Sequence, residues 1–122
     1  MVFSDKAELV CHQMKEQRFD LLAIQESRAT CDRIGSLCGV TRLIAAAQGG
    51  QGGVELWVNP EGPLSLAGCG PLTTQHFSVK ASSATWLVVD CDHPLLQCIF
   101  AIVYAPQSGR TTCEIDDWWA EF

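Results

Sequence analysis

The chain opens on a helical pattern. Ala7, Val10, Cys11 and Met14 recur at three- and four-residue spacing, with Lys6, Gln13 and Lys15 elsewhere, which predicts an amphipathic helix ending near Arg18. Asp5 and Glu8 have capping-box spacing at its start, and Ser4 is a second N-cap candidate. The period then changes. Phe19 to Ile24 carries the continuous apolar run Leu21-Leu22-Ala23-Ile24, the pattern of a strand buried on both faces. Residues 31–39 follow neither period cleanly and leave room for one helical turn. Val40 to Ala47 reads as a strand, Gly49-Gly50-Gln51-Gly52-Gly53 as a turn, and Val54 to Val58 as another strand, ended by Asn59-Pro60-Glu61-Gly62-Pro63.

Residues 64–75 are rich in Gly, Pro and Thr and predict a loop or a short edge strand. Phe77 to Lys80 and Thr85 to Cys91 read as further strands, Asp92-His93-Pro94 as a turn, and Leu95 to Tyr104 as a long apolar strand. Trp86–Cys91 with Leu96–Val103 makes the clearest hairpin. From Thr111 to Phe122 a second helix is predicted. Thr111 or Thr112 can cap it, and Glu114, Asp116 and Asp117 suit its positive end. A helix feeding a buried strand, followed by several strands and a helix, predicts a layered α/β arrangement.

Composition narrows this to one globular domain. The chain has 122 residues, 48% hydrophobic and 18% charged. At this length roughly 65–70% of the unfolded chain's surface can be buried. With 8 basic and 14 acidic residues the formal charge is −6. That sign counts against tight DNA binding by the chain alone, since phosphate neutralisation supplies most of such affinity. It counts less against a metal-dependent hydrolase, whose carboxylates are offset by bound cations.

The 7 cysteines are odd in number and include no Cys-x-x-Cys pair. They read as reduced, mostly buried thiols in an intracellular setting, nuclear or cytoplasmic. Cys91, His93 and Cys98 lie close in sequence, but their spacing fits no common zinc pattern, and packing is the preferred role. No secretory signal is visible, and the apolar stretch Leu95–Ala105, broken by Gln97, is too short to span a bilayer, which predicts no membrane partner.

Two residues stand out for chemistry. Glu26 follows the first apolar strand, with Ser27 and Arg28 after it, and a carboxylate at a strand end is well placed to hold a hard cation. Tyr104 ends the last strand, followed by Ala105, Pro106, Gln107, Ser108 and Gly109. Taken alone, each has a plainer role: a solvated glutamate after a strand, and an amphipathic tyrosine with a wet hydroxyl.

Asp20-Leu21-Leu22-Ala23-Ile24-Gln25-Glu26, preceded by a helix, resembles the segment that supplies the metal-binding glutamate in the endonuclease/exonuclease/phosphatase family. Val103-Tyr104-Ala105-Pro106 resembles that family's strand ending in Tyr-x-Pro. Gly52-Gly53-Val54-Glu55-Leu56-Trp57-Val58 is similar to a strand between those motifs, and Trp118-Trp119 lies where packing aromatics often follow. The flavour is that of non-LTR retrotransposon endonuclease domains. The resemblance implies that Glu26 binds Mg2+ or Mn2+ and that Tyr104 contacts the scissile phosphate. Gln25, Arg28 and Gln107 become candidate substrate-binding residues, and nucleic acid the expected partner. The implied fold is the N-terminal half of a four-layer α/β sandwich, with a mixed, largely antiparallel sheet and flanking helices.

The same resemblance marks what is missing. No Asn-bearing strand precedes the first helix, and neither Gly-Asp-(Phe/Met)-Asn nor Ser-Asp-His occurs. His12, His76 and His93 stand outside any such motif, and solvated roles are expected for His12 and His93. Residues 1–122 thus read as a partial domain whose C-terminal half is missing. Three functions follow. The first is a fragment of a metal-dependent phosphodiesterase acting on nucleic acid, inactive alone because catalytic residues act as a unit. The second is a non-catalytic interaction module that self-associates through an exposed sheet face. The third is a generic α/β domain with accidental motif matches. The first two expect Glu26 and Tyr104 at one edge of one sheet; the third expects them far apart.

Overall fold

The structure, a computed structural model, describes residues 5–105 and 112–121. The cap candidates Ser4 and Thr111, and residues 106–109 with Gln107 among them, lie outside that range. The chain is a mixed α/β protein in which every strand pairing is antiparallel.

Helix α1 spans Asp5–Glu16. Strands β1 (Leu21–Gln25), β2 (Arg33–Leu37), β3 (Val40–Ala45) and β4 (Val54–Val58) form a four-stranded sheet in the order β1-β4-β3-β2. Strands β5 (Phe77–Ser82), β6 (Trp86–His93) and β7 (Leu96–Val103) form a three-stranded sheet in sequence order, and α2 spans Thr112–Glu121. Residues 59–76 are turns closed by a 3-10 turn at Thr74–His76, not an edge strand.

Alternation sorts the four-stranded sheet into two faces. On one face Leu43, Ala45, Val54, Leu56 and Val58 share a core with Leu87, Val89, Cys91 and Ile102 of the other sheet. On the opposite face Val40 and Trp57 pack under Ala7, Cys11 and Met14 of α1, with Leu22 and Ile24 beside them. The result is a helix, a sheet and a second sheet in layers, with β4 buried at every position.

Three sequence expectations change. The strand buried on both faces is β4; among the described residues β1 pairs with β4 alone, and it is half-exposed at the sheet edge, with Leu21 packed toward the inter-sheet core and Leu22 and Ile24 toward α1. Residues 33–37 form a strand, not a helical turn. Left-handed backbone at Cys38 (φ 50°) and Gly39 (φ 81°) lets a two-residue turn fold β2 against β3. His93 belongs to β6 and is fully buried. Its Nδ1 accepts from the Leu95 N–H at 3.1 Å, which leaves Nε2 to donate to the Gly70 carbonyl at 2.9 Å. His12, by contrast, is exposed on α1.

The thiols also differ from expectation. All 7 are free, but only Cys11 and Cys91 are buried; Cys31, Cys38, Cys69 and Cys113 are exposed. Cys91 and Cys98 face each other across β6 and β7. Burial, then the neighbouring Cys98, raises the Cys91 thiol above its ordinary pKa.

Candidate functional site

The ends of β1 and β7 converge although they belong to different sheets. Gln25 Nε2 donates to the Val103 carbonyl and so joins the two strands immediately before Glu26 and Tyr104. Beyond this join the Tyr104 hydroxyl donates to the Glu26 carboxylate. The two residues therefore meet where two sheet edges come together, not along one edge of a single sheet.

The turn after β1 is strained in a specific way. Glu26 (φ 56°) and Arg28 (φ 57°) both sit in the left-handed region, which non-glycine residues seldom occupy. Backbone bonds hold them there: Ser27 N–H to the Gly53 carbonyl at 3.1 Å, and Arg28 N–H to the Gly52 carbonyl at 2.9 Å. Gly53 N–H in turn donates to the Ala84 carbonyl at 2.7 Å, tying the turn to the second sheet. The two glycines are required by close approach. A Cβ at Gly53 (φ 96°) would stand 2.7 Å from Ser27 Oγ, and one at Gly52 (φ 80°) 2.5 Å from the Ala84 oxygen.

Three donors surround the Glu26 carboxylate. The Tyr104 hydroxyl is the strongest influence lowering its pKa; partial burial opposes it, and the Arg28 side chain and Gly52 backbone add to the lowering. Arg28 Nε lies 3.3 Å from Glu26 Oε1. Glu26 is thus held as a carboxylate.

A cavity of about 680 Å³ opens over this group. Glu26, Arg28 and Tyr104 line it together with Gly52, Thr85 and residues of α2. Trp118 fixes α2 by donating from Nε1 to Thr85 Oγ1 at 2.9 Å and by packing edge-on against Trp86 at 6.0 Å. Helix α2 contributes Glu114, Asp117 and Glu121 to the lining, so Arg28 faces four carboxylates there. Such a cavity repels an oxyanion unless a cation intervenes.

Of the expected site residues, Glu26, Tyr104, Arg28 and Gln25 come together. Gln25 serves as a clasp between strands, and Gln107 is not described. Residues from outside the motifs also line the cavity: Ala84 and Thr85 between β5 and β6, and the acidic side of α2. The Glu114–Asp117–Glu121 spacing was their only sequence signal.

The implied metal does not fit these residues alone. Among the described residues no group of three or more His, Cys, Asp or Glu side chains is placed to hold an ion. Magnesium asks for near-octahedral oxygen ligation, and Glu26 offers one carboxylate that is already bonded to donors. Zinc at Cys91, His93 and Cys98 fails similarly, since both ring nitrogens of His93 are engaged by the backbone. No helix among the described residues is long and apolar enough to cross a membrane. Compared with known protein families and with curated proteins, the chain matches no family model and no curated sequence.

Proposed function

We propose that the chain is part of a phosphodiester-cleaving domain of the endonuclease/exonuclease/phosphatase kind, acting on nucleic acid and inactive by itself. The observation that carries this reading is the hydrogen bond from Tyr104 to Glu26 across two sheets. Two motifs far apart in sequence, each of which resembles a segment of that family, meet at one cavity. The left-handed Glu26 and Arg28 add weight, because backbone strain concentrates at functional sites. On this reading the helix and two sheets are part of a four-layer sandwich. Tyr104 positions a phosphate oxygen, Arg28 offsets its charge, and Glu26 orients both; a metal at this site would need ligands beyond these residues.

Plasmid nicking with Mg2+ tests the inactivity, and none is expected from the chain alone. Cleavage abolished by Glu26→Ala would overturn it. Residue-resolved NMR titration with a short single-stranded oligonucleotide and Mg2+ tests the site. Shifts at Glu26, Arg28 and Tyr104 are expected, and their absence would sink the assignment.

A second reading, the interaction module, draws on the outer face of the three-stranded sheet. Trp86, Val88, Ile99, Ala101 and Val103 share that face by register. Helix α2 packs at the Trp86 end, while Ile99 remains 66% exposed. Association would bury this stripe.

A further inference from the structure

The other face of the four-stranded sheet holds a second, chemically opposite cavity. Register places Arg33, Arg42 and Ile44 on the α1 side of the sheet, beyond the cluster that α1 covers. The turn 27–31 closes over them and leaves a cavity of about 360 Å³. Ser27, Arg28, Thr30, Arg33 and Arg42 line it; among the described residues no carboxylate is in the lining, and Glu26 and Glu55 pair with Arg28 and Arg42 from outside it.

We infer that this cavity is an oxyanion site that takes a phosphate group without the help of a metal. Charge is the first reason. The chain carries only 8 basic residues against 14 acidic ones, yet three arginines converge on this one hollow. Guanidinium groups are the side chains best shaped for bidentate contact with phosphate oxygens.

Preorganisation is the second reason. Arg42 is only 8% exposed, and Glu55 Oε1 holds its Nε at 2.9 Å and its Nη2 at 2.8 Å. The Trp57 ring lies 5.4 Å from its guanidinium carbon. An arginine fixed in this way loses little freedom when an anion arrives.

The third reason is Ser27, which is 1% exposed with a hydroxyl that has no hydrogen-bond partner. Buried hydroxyls are normally satisfied, and Ser27 is one of the residues that line this cavity. On this proposal a bound phosphate oxygen is the acceptor this hydroxyl lacks.

Arg28 lines both cavities and divides them. One side is a carboxylate-rich hollow that needs a cation, the other an arginine-rich hollow that does not. If the function proposed above holds, the arginine cavity takes a neighbouring phosphate of the strand whose scissile phosphate lies at Tyr104. That extension rests on the proposed function; the oxyanion site itself does not.

The test is an NMR titration of the isotope-labelled chain in phosphate-free buffer, with inorganic phosphate and separately with a short single-stranded oligonucleotide, each with and without Mg2+. Without Mg2+, phosphate is expected to shift the amides of residues 27–31 and Arg33 saturably. Arg33 is exposed on the edge strand β2, so Arg33→Gln is expected to keep the fold. It should weaken binding about tenfold, as loss of one charge-assisted contact implies. For the oligonucleotide, the same substitution should lower the salt slope by about 0.7. Shifts that never saturate, or affinity unchanged in both Arg33→Gln and Ser27→Ala, overturn the proposal. Phosphate binding without oligonucleotide binding upholds the oxyanion site and removes the nucleic-acid extension. Oligonucleotide shifts at Tyr104 that spare Ser27 and Arg33 overturn the nucleic-acid extension and leave the first cavity's function standing.

Discussion

Tyr104 donates its hydroxyl proton to the Glu26 carboxylate across the meeting point of two sheets. Because that bond is the largest influence lowering the Glu26 pKa, Tyr104→Phe should move the Glu26 titration up, toward the ordinary value of about 4.3. The sign for stability follows by linkage. A carboxyl with a lowered folded pKa stabilises the fold above its unfolded pKa, and this contribution is lost as pH falls through the folded value. Tyr104→Phe should therefore flatten the loss of stability on the acid side. Carbon-detected NMR of the Glu26 carboxyl reads the shift directly, and an unmoved titration would refute the bond's role.

Gly53→Ala is expected to destabilise the protein by about 1–3 kcal/mol, through left-handed backbone and collision with the turn at Ser27. Gly50→Ala is the matched control, since Gly50 also has positive φ (74°) but its added Cβ meets nothing within 4 Å. Urea denaturation should show a lower midpoint for Gly53→Ala than for Gly50→Ala at similar slope. Equal midpoints would mean that close approach contributes nothing.

Arg42 and Glu55 form a buried ion pair in which Glu55 Oε2 has no hydrogen-bond partner. Arg42→Met alone strands a buried carboxylate and should cost about 3–5 kcal/mol. Adding Glu55→Leu should recover most of that loss, because apolar replacement of a whole buried pair is often neutral or better. A double variant no more stable than Arg42→Met would refute this account.

If the outer face of the three-stranded sheet is an association surface, the sedimenting mass of the chain rises with concentration. Ile99→Lys, which puts a charge at an exposed point of that stripe, should abolish the rise. A constant monomer mass in the unmodified chain rules out self-association through this face.

The hairpin of β6 and β7 was legible because Trp86–Cys91 and Leu96–Val103 are apolar runs flanking an evident turn, although His93 extends the strand. Strand β2 was not. Arg33, Gly35 and Ser36 carry no period of two, and the turn that fixes the strand is Cys38-Gly39, not the stronger Asn-Gly signal. Strand β4 was legible as a strand over Val54–Val58, but its central, doubly buried place was masked by Glu55, whose charge is answered by Arg42 of the neighbouring strand. Of the site, Glu26 and Tyr104 could be named from the resemblance, but their contact could not, since it depends on how two sheets pack. The arginine cavity left no local trace, because Arg28, Arg33 and Arg42 converge only once β2 folds back on β3.

Placing Glu26 on one sheet and Tyr104 on the other has a consequence for how the site comes into being. Neither sheet by itself contains it. A half-folded chain with the three-stranded sheet complete and the four-stranded sheet still open presents a tyrosine with no carboxylate to bind. The contact therefore reports that Leu56, Leu87 and their neighbours have closed the core between the layers. Substitutions deep in that core, far from any phosphate, act on the site as a change in its assembly, and the two groups gain or lose their partnership together.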